Sequence, residues 1–329
     1  MAALGICFIV NISLGSVLIP LEETFNALLG KPTQTESWYY IIWNYRIPKG
    51  LTAILVGGGL ALSGLLMQTL FRNPLAGPFV LGISSGASLG AAVLIMGTSL
   101  FSGILAWELA SDISMALAAS IGSFLVLLVV ISVASKVRDT MALLIIGLMF
   151  GSITAAIVSV LSYFSNAERL QQFIFWSFGS LGNLTWQQLT LLFAIVFIGI
   201  ILSILSIKPL NTLLLGERYA QSMGINIKKS RYSIILATGL LAGSITAFAG
   251  PIAFVGLAVP HLARQIFDTS NHKVLVPAAL ICGAILMLLC DILAQLPSSA
   301  KVLPINAITS ILGAPVVIWL LVRKRKMVF

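Results

Sequence analysis

Acidic residues are scarce in this sequence, ten Asp and Glu among 329 positions, and charged residues of both signs together make up only 9%. Soluble domains carry roughly 25%, so this chain is too poor in charge to be one. Histidine is nearly missing as well. His261 and His272 are the only two, eleven residues apart across an expected helix end, and no metal site can be argued from them. Three cysteines, Cys7, Cys282 and Cys290, sit inside apolar runs rather than at disulfide or metal-ligand spacings, so they read as packing residues. The phosphate-cradling pattern Gly-x-x-x-x-Gly-Lys-Ser/Thr does not occur, so no phosphate-loop nucleotide site is expected in this chain.

What the chain has instead is apolar length. Hydrophobic residues are 59% of it, and the mean hydropathy is +1.06. A bilayer crossing needs about 20 mostly apolar residues. Such stretches are expected at about 2–20, 47–70, 79–98, 113–135, 141–163, 186–207, 232–250, 252–267, 274–296 and 304–322. The fold class is therefore all-α, a polytopic membrane protein of about ten transmembrane helices, with residues 1–329 forming one membrane domain. The first stretch lacks the basic start and small-residue cleavage pattern of a signal peptide and is kept as a true helix.

Basic residues orient this arrangement. With the N-terminus cytoplasmic, Arg72, Lys136, Arg138, Lys208, Arg218, Lys228, Lys229, Arg231, Arg264, Lys273 and Arg323-Lys324-Arg325-Lys326 fall inside, 14 of the 19 Lys and Arg. Lys31, Arg46, Lys49, Arg169 and Lys301 fall outside. Positive charge near span ends marks the cytoplasmic face, so both termini are expected there. The net charge of +9 is then an inner-surface feature that meets lipid headgroups, not a nucleic-acid partner.

Several connections carry more information than a turn. Phe71-Arg72-Asn73-Pro74-Leu75-Ala76-Gly77-Pro78 ends one helix and holds the chain open, because each proline removes an amide and bars its predecessor from the helical region. Gly82, Gly86 and Gly90 follow on one expected helical face, suited to close backbone contact. Ala76-Gly77-Pro78 recurs as Ala249-Gly250-Pro251 at the opposite side of the expected membrane, the relation an inverted repeat produces. Trp38, Tyr39, Tyr40, Trp43 and Tyr45 form an interfacial aromatic belt. Residues 166–183 suit a short helix along the outer surface. Ser152, Ser159 and Tyr163, spaced by seven and four, draw a polar stripe along the fifth helix; it lines a pathway, or its serines bond their own backbone. Asp291, the one carboxylate well inside a span, is expected to meet Arg46 or Lys49 in a structural role.

The longest polar connection, about 208–231, contains Leu213-Leu214-Leu215-Gly216-Glu217-Arg218-Tyr219-Ala220-Gln221-Ser222-Met223-Gly224. It predicts two short helices hinged at Gly216, the second closed by Gly224. Leu214, Leu215, Tyr219 and Met223 are expected to be exposed. They suit either the groove of a soluble partner or a resting place on headgroups.

At this point the chain resembles the FecCD-type permeases of ABC importers for iron complexes and vitamin B12. The resemblance rests on Arg46-Ile47-Pro48-Lys49, Gly64 with Gln68, Asn73-Pro74-Leu75-Ala76, Leu81-Gly82 with Gly86-Ala87, and Leu215-Gly216 through Ala220 to Gly224. It continues in Gly250-Pro251-Ile252-Ala253-Phe254-Val255-Gly256-Leu257, Pro260-His261 with Arg264, Asp291, and Gly313-Ala314-Pro315. It implies the type II importer permease fold in a bacterial cytoplasmic membrane, a homodimer or paired permease with the pathway between subunits. Two ATPase subunits that use ATP and Mg would sit beneath, a substrate-binding protein above, and no cofactor in this chain.

By the same resemblance, Leu213 to Gly224 couples to the ATPase, and Arg46 and Lys49 receive acidic knobs of the binding protein. A third basic position is Gln295 here, with Lys301 as a substitute. Asn73, Leu75, Thr140 and Met141 form the cytoplasmic gate. The expected cargo is an iron complex, ferric siderophore or haem, with vitamin B12 as the alternative; an ion-coupled secondary carrier stands behind both.

Overall fold

The structure, a computed structural model, describes residues 1–15, 17–97, 112–137, 140–295 and 302–322. Arg138, Lys301, Glu108 and the Arg323 to Lys326 cluster lie outside the described residues, as does the side chain of Thr140. The first helices are α1 (Ala2–Ser13), α2 (Leu21–Leu28), α3 (Glu36–Ile41), α4 (Ile47–Leu70) and α5 (Ile83–Gly97). Then come α6 (Asp112–Lys136), α7 (Thr140–Tyr163), α8 (Ala167–Ser177), α9 (Trp186–Leu205) and α10 (Ile207–Leu213). The last are α11 (Glu217–Ser222), α12 (Ile227–Ala249), α13 (Val255–Phe267), α14 (His272–Ala294) and α15 (Ile305–Val322). The protein is all-α: among the described residues the one β pairing is an isolated bridge between Gln295 and Val302.

α4 is the axis of the molecule. It packs on α14, α12, α13 and α9, and 83% of the most apolar part of the stretch Glu36–Leu70 is buried, against 17% in α7, which leaves α7 at the periphery. Val56, Leu60, Leu62, Leu65, Leu66 and Met67 of α4 anchor the main core. Bulk is excluded where the axes come closest. A Cβ on Gly57 would lie 2.2 Å from the Gly283 carbonyl oxygen of α14, and one on Gly64 only 1.6 Å from that of Gly256 in α13. Lipid tails are as apolar as leucine, so such intimate contact is the main source of helix association in a bilayer.

Among the described residues, six helical stretches are long and apolar enough to cross a membrane: Glu36–Leu70, Ile113–Ala134, Met141–Tyr163, Trp186–Leu205, Ile227–Ala249 and His272–Ala294. The second expected span thus begins earlier than residue 47. A π turn over Ile42–Arg46 joins α3 to α4, directly before Pro48, whose missing amide would otherwise break the helix.

Three other expected spans are incomplete as helices. α1 has 12 residues, α5 has 15 and α13 has 13. At about 1.5 Å per residue they rise roughly 18–23 Å, short of a hydrocarbon core of about 30 Å.

Irregular chain precedes two of these short helices, and it is the chain of the repeated triplet. After Ala76-Gly77-Pro78 a single 3-10 turn, Pro78–Leu81, leads to Gly82 at φ 73°, and α5 starts at Ile83. After Ala249, Gly250 (φ 76°) and Pro251, Phe254 takes φ 66° and α13 starts at Val255. The first triplet lies at the end of the molecule that carries α10 and α11. The second lies at the other end, where Ser180 donates to the Ala249 carbonyl at 2.9 Å and Asn306 Oδ1 accepts from the Ala253 amide at 3.0 Å. Opposed entry of two broken helices is the geometry the inverted echo predicted.

One expectation changes here. Gly82 does not share the α5 face of Gly86 and Gly90; it ends the 3-10 turn and faces Gly147 of α7, while Gly86 and Gly90 abut Gly122 and Ala118 of α6. A left-handed φ, which side chains resist, is what Gly82 supplies.

Candidate functional site

At the end opposite α10 and α11, charge is concentrated on Arg46, Lys49 and Asp291. α1 stops at Ser13 and leaves its last carbonyls without helical partners. Arg46 fills that role: Nη1 donates to the Ile12 and Ser13 carbonyls, both at 2.7 Å, and Nη2 donates to that of Val17. Arg46 is accordingly buried, 9% exposed. Lys49, one helical turn on, pairs through Nζ with Asp291 Oδ1 at 2.9 Å. Asn11 and Gln295 donate to the other carboxylate oxygen, at 2.8 and 2.6 Å. The sequence expectation that Asp291 meets one of the two cations is met by Lys49, and Gln295 is a carboxylate ligand of this cluster. Asp291 thus ties α1, α4 and the residue that caps α14, while Arg46 pins the π turn to the end of α1.

At the other end the chain from Phe71 to Pro78 is a hydrogen-bonded turn. Arg72 takes φ 47°, the Leu75 amide donates to Asn73 Oδ1 at 2.9 Å, and the Ala76 amide donates to the Asn73 carbonyl at 3.1 Å. Asn73 is half-buried and Leu75 is exposed. Beneath the turn, His261 Nε2 lies 2.8 Å from the Pro74 carbonyl oxygen. A carbonyl only accepts, so Nε2 carries the proton. Gln68 donates through Nε2 to the Leu257 carbonyl at 3.1 Å and accepts from Arg264 Nη1 at 2.8 Å.

The loop helices form as expected. α10 and α11 are separated at Gly216 (φ 108°), and Gly224 (φ 79°) follows α11. Leu213 and Ala220 are buried and hold the loop against the core. Leu215, Arg218, Tyr219 and Met223 project outward. Leu214 is half-buried, contrary to the exposed place expected for it, and caps α10 directly after the core residue Leu213. Glu217 pairs with Arg231 of α12 at 3.0 Å, and Arg231 also donates to the Val137 carbonyl at 2.9 Å. An open cavity of about 790 Å³ is lined by Leu70, Arg72, Leu213, Leu215, Tyr219 and their neighbours, so the 71–78 turn and the loop share one surface.

This loop is also wired into the core by residues that no sequence motif marks. Asn211 Oδ1 accepts from both the backbone amide and Nδ1 of His272, each at 2.8 Å, and His272 Nε2 meets Thr69 Oγ1 at 2.8 Å. His272 is fully buried. Histidine in a chain with only two of them was the available signal, but 61 residues separate it from Asn211, and only the fold joins them.

Along α7, Ser152, Ser159 and Tyr163 lie on the exposed side with Met141. Both serine hydroxyls are taken by their own helix, Ser152 bonding the Leu148 carbonyl at 3.2 Å and Ser159 that of Ala155 at 2.9 Å. Of the two readings offered by the sequence, the structure shows the second, serine hydroxyls bonded to their own backbone, on an exposed helix face.

Broken helices entering from both ends, glycine-locked axes and a folded loop outside the spans define a polytopic α-helical membrane protein. The FecCD transport family model matches residues 3–323, and the chain belongs to that family of ABC importer permeases. It is 40% identical over 285 residues to the vitamin B12 import system permease protein BtuC of Klebsiella pneumoniae subsp. pneumoniae, covering 86% of this chain and 83% of that protein. The BtuC of Salmonella typhi is 38% identical over 286 residues, 87% of this chain and 84% of that one. Among solved structures, an inward-facing metal-chelate type ABC transporter superposes with a TM-score of 0.85 at 29% identity, over 98% of this chain and 97% of that one. PsaBC of Streptococcus pneumoniae shares the fold at a TM-score of 0.56 and 13% identity, over 83% and 90% of the two chains.

Proposed function

We propose that this chain is the permease subunit of an ATP-driven importer of vitamin B12. The observation that carries the reading is the 40% identity over 285 residues to a vitamin B12 permease. It replaces the iron complex expected from the sequence as first choice. An iron or other metal chelate is the second reading, favoured by the metal-chelate transporter that superposes over nearly the whole chain. An ion-coupled carrier has less support, since Asp291, its best ion site, is already ligated by Lys49, Asn11 and Gln295.

In this reading two permease copies enclose the pathway along α7, with Ser152, Ser159 and Tyr163 on its wall. The α10–α11 end is cytoplasmic, as are both termini, and the 71–78 turn with Thr140 and Met141 forms the inner gate. ATP and Mg belong to two partner ATPase subunits. Leu213 and Ala220 seat the coupling loop, while Leu215, Arg218, Tyr219 and Met223 meet the ATPase. A substrate-binding protein docks above, near Lys49; Arg46 reaches it only by giving up the α1 carbonyls.

The test is stimulation of ATP hydrolysis in the reconstituted complex by its binding protein, loaded with cobalamin or with a ferric siderophore. Cobalamin is expected to stimulate several-fold and the siderophore not at all. Stimulation by the siderophore alone would overturn the substrate assignment.

The coupling role has its own test. Tyr219→Asp with Met223→Asp puts two charges on an exposed apolar surface. The double variant is expected to insert and purify normally while losing co-purification with the ATPase by tenfold or more, because apolar anchors dominate such grooves. Unchanged co-purification would remove these side chains from the interface.

A further inference from the structure

We propose that α13 is a latch on the 71–78 turn, with His261 as its positioning residue, and that releasing this latch opens the inner mouth. The inference rests on the gate reading above and adds the element that holds the gate.

Three features place α13 in that role. The turn carries two prolines, so Pro74 and Pro78 contribute no amides to its own support. Among its described backbone groups, the Pro74 carbonyl is held from outside the turn by the His261 Nε2 proton at 2.8 Å. Four residues before His261, the Leu257 carbonyl is held by Gln68 of α4, and three residues after it Arg264 grips the same Gln68. At the start of α13, Gly256 lies against Pro78 itself: a Cβ there would come within 2.8 Å of the Pro78 ring and 2.7 Å of the Leu60 carbonyl. One short helix therefore touches both prolines of the turn and the last turns of α4 that lead into it.

The helix is also a separate piece of the chain, set off from its neighbours by irregular backbone. It is broken from α12 by Gly250 and Phe254 at positive φ and from α14 by Asp268 at φ 43°. Its far face carries exposed Ile266 and Phe267. A displacement of α13 along its axis would withdraw the His261 proton from Pro74 while sliding Gly256 past Pro78. The turn that carries Asn73 and Leu75 would then keep its internal bonds and the hydrogen bond of the Asn73 amide to the Gln68 carbonyl, but lose its hydrogen bond to α13. His261 is thus a positioning residue: it acts on the gate through the turn and needs no contact with cargo.

Hydrogen–deuterium exchange of the full chain in lipid nanodiscs reads the latch without any transport assay, and the assembled importer reads its consequence. In His261→Ala, amides of residues 71–82 are expected to exchange about tenfold faster, with the rest of the map unchanged. His261→Gln, whose side-chain amide can donate to the same carbonyl, restores protection. Should the alanine variant fail to fold, His261→Phe keeps the volume without the donor and is read in the same way.

In the complex, the alanine variant is expected to hydrolyse ATP normally but to move several-fold less cargo per ATP, again restored by glutamine. Unchanged exchange of 71–82 in a folded variant overturns the latch. Faster exchange with unchanged cargo per ATP leaves the latch standing and overturns the gate assignment.

Discussion

Gly64→Ala is expected to abolish recovery of folded, monodisperse protein. A Cβ at this position would lie 1.6 Å from the Gly256 carbonyl oxygen, 2.4 Å from its carbonyl carbon and 2.8 Å from its Cα. All three are backbone atoms, so no rotamer change relieves the clash and α4 must separate from α13. In an isolated helix the same substitution favours folding by up to about 1 kcal/mol. Here overpacking exceeds that gain and costs more than about 3 kcal/mol, the upper end of what inserted methyl groups do in packed cores. Gly5→Ala is the control, since a Cβ there meets nothing within 4 Å. Size-exclusion profiles and thermal unfolding of the purified variants measure the difference. A Gly64→Ala protein with the parental profile and midpoint would show that the two axes have room to part.

The second large effect is expected at the Lys49 and Asp291 pair. Asp291 is 2% exposed, and removing its cation leaves a buried carboxylate with two neutral donors. Breaking a buried pair from one side costs about 3–5 kcal/mol, so Lys49→Met should lower the unfolding midpoint strongly although it keeps the aliphatic stem. Asp291→Asn in the same chain removes the stranded charge and retains acceptors for Asn11 and Gln295. The double variant is therefore expected to be more stable than Lys49→Met alone, with a coupling energy above about 2 kcal/mol in the cycle. Strictly additive single effects would show that the two charges are solvated independently.

These two sites differ in how far the sequence revealed them. Asp291 was legible because a lone carboxylate in an apolar run has to find a cation, and Lys49 was one of two candidates named. Gly64 was legible only as a member of a pattern. Nothing along the chain tells which glycine faces which backbone, and Gly256 is 192 positions away. The loop at Gly216 and Gly224 was readable in detail because its features are local: two glycines at positive φ and two short amphipathic helices between span ends. Leu214 was misplaced because its burial depends on the direction from which α10 meets the core.

Span boundaries failed for a related reason. Apolar length measures how much chain lies within the membrane, and it does not separate helix from the extended chain before α5 and α13. Gly82 likewise does not occupy the face that periodicity predicts for it, since periodicity assumes a helix that has not yet begun.

By itself, then, the sequence determined the solvent, the helical class, the two breaking triplets, the hinged loop and, through its motifs, the family. Those follow from composition and from local rules for proline, glycine and charge, which act over a few residues. The tertiary structure alone decided that the triplets enter from opposite ends and that Gln68 and Arg264 brace the turn held by His261. It also decided that His272 ties Asn211 to Thr69. Each of these joins groups from about sixty to just over two hundred residues apart. Their energies depend on distances of about 3 Å, which only the packing of α4, α13 and α14 sets.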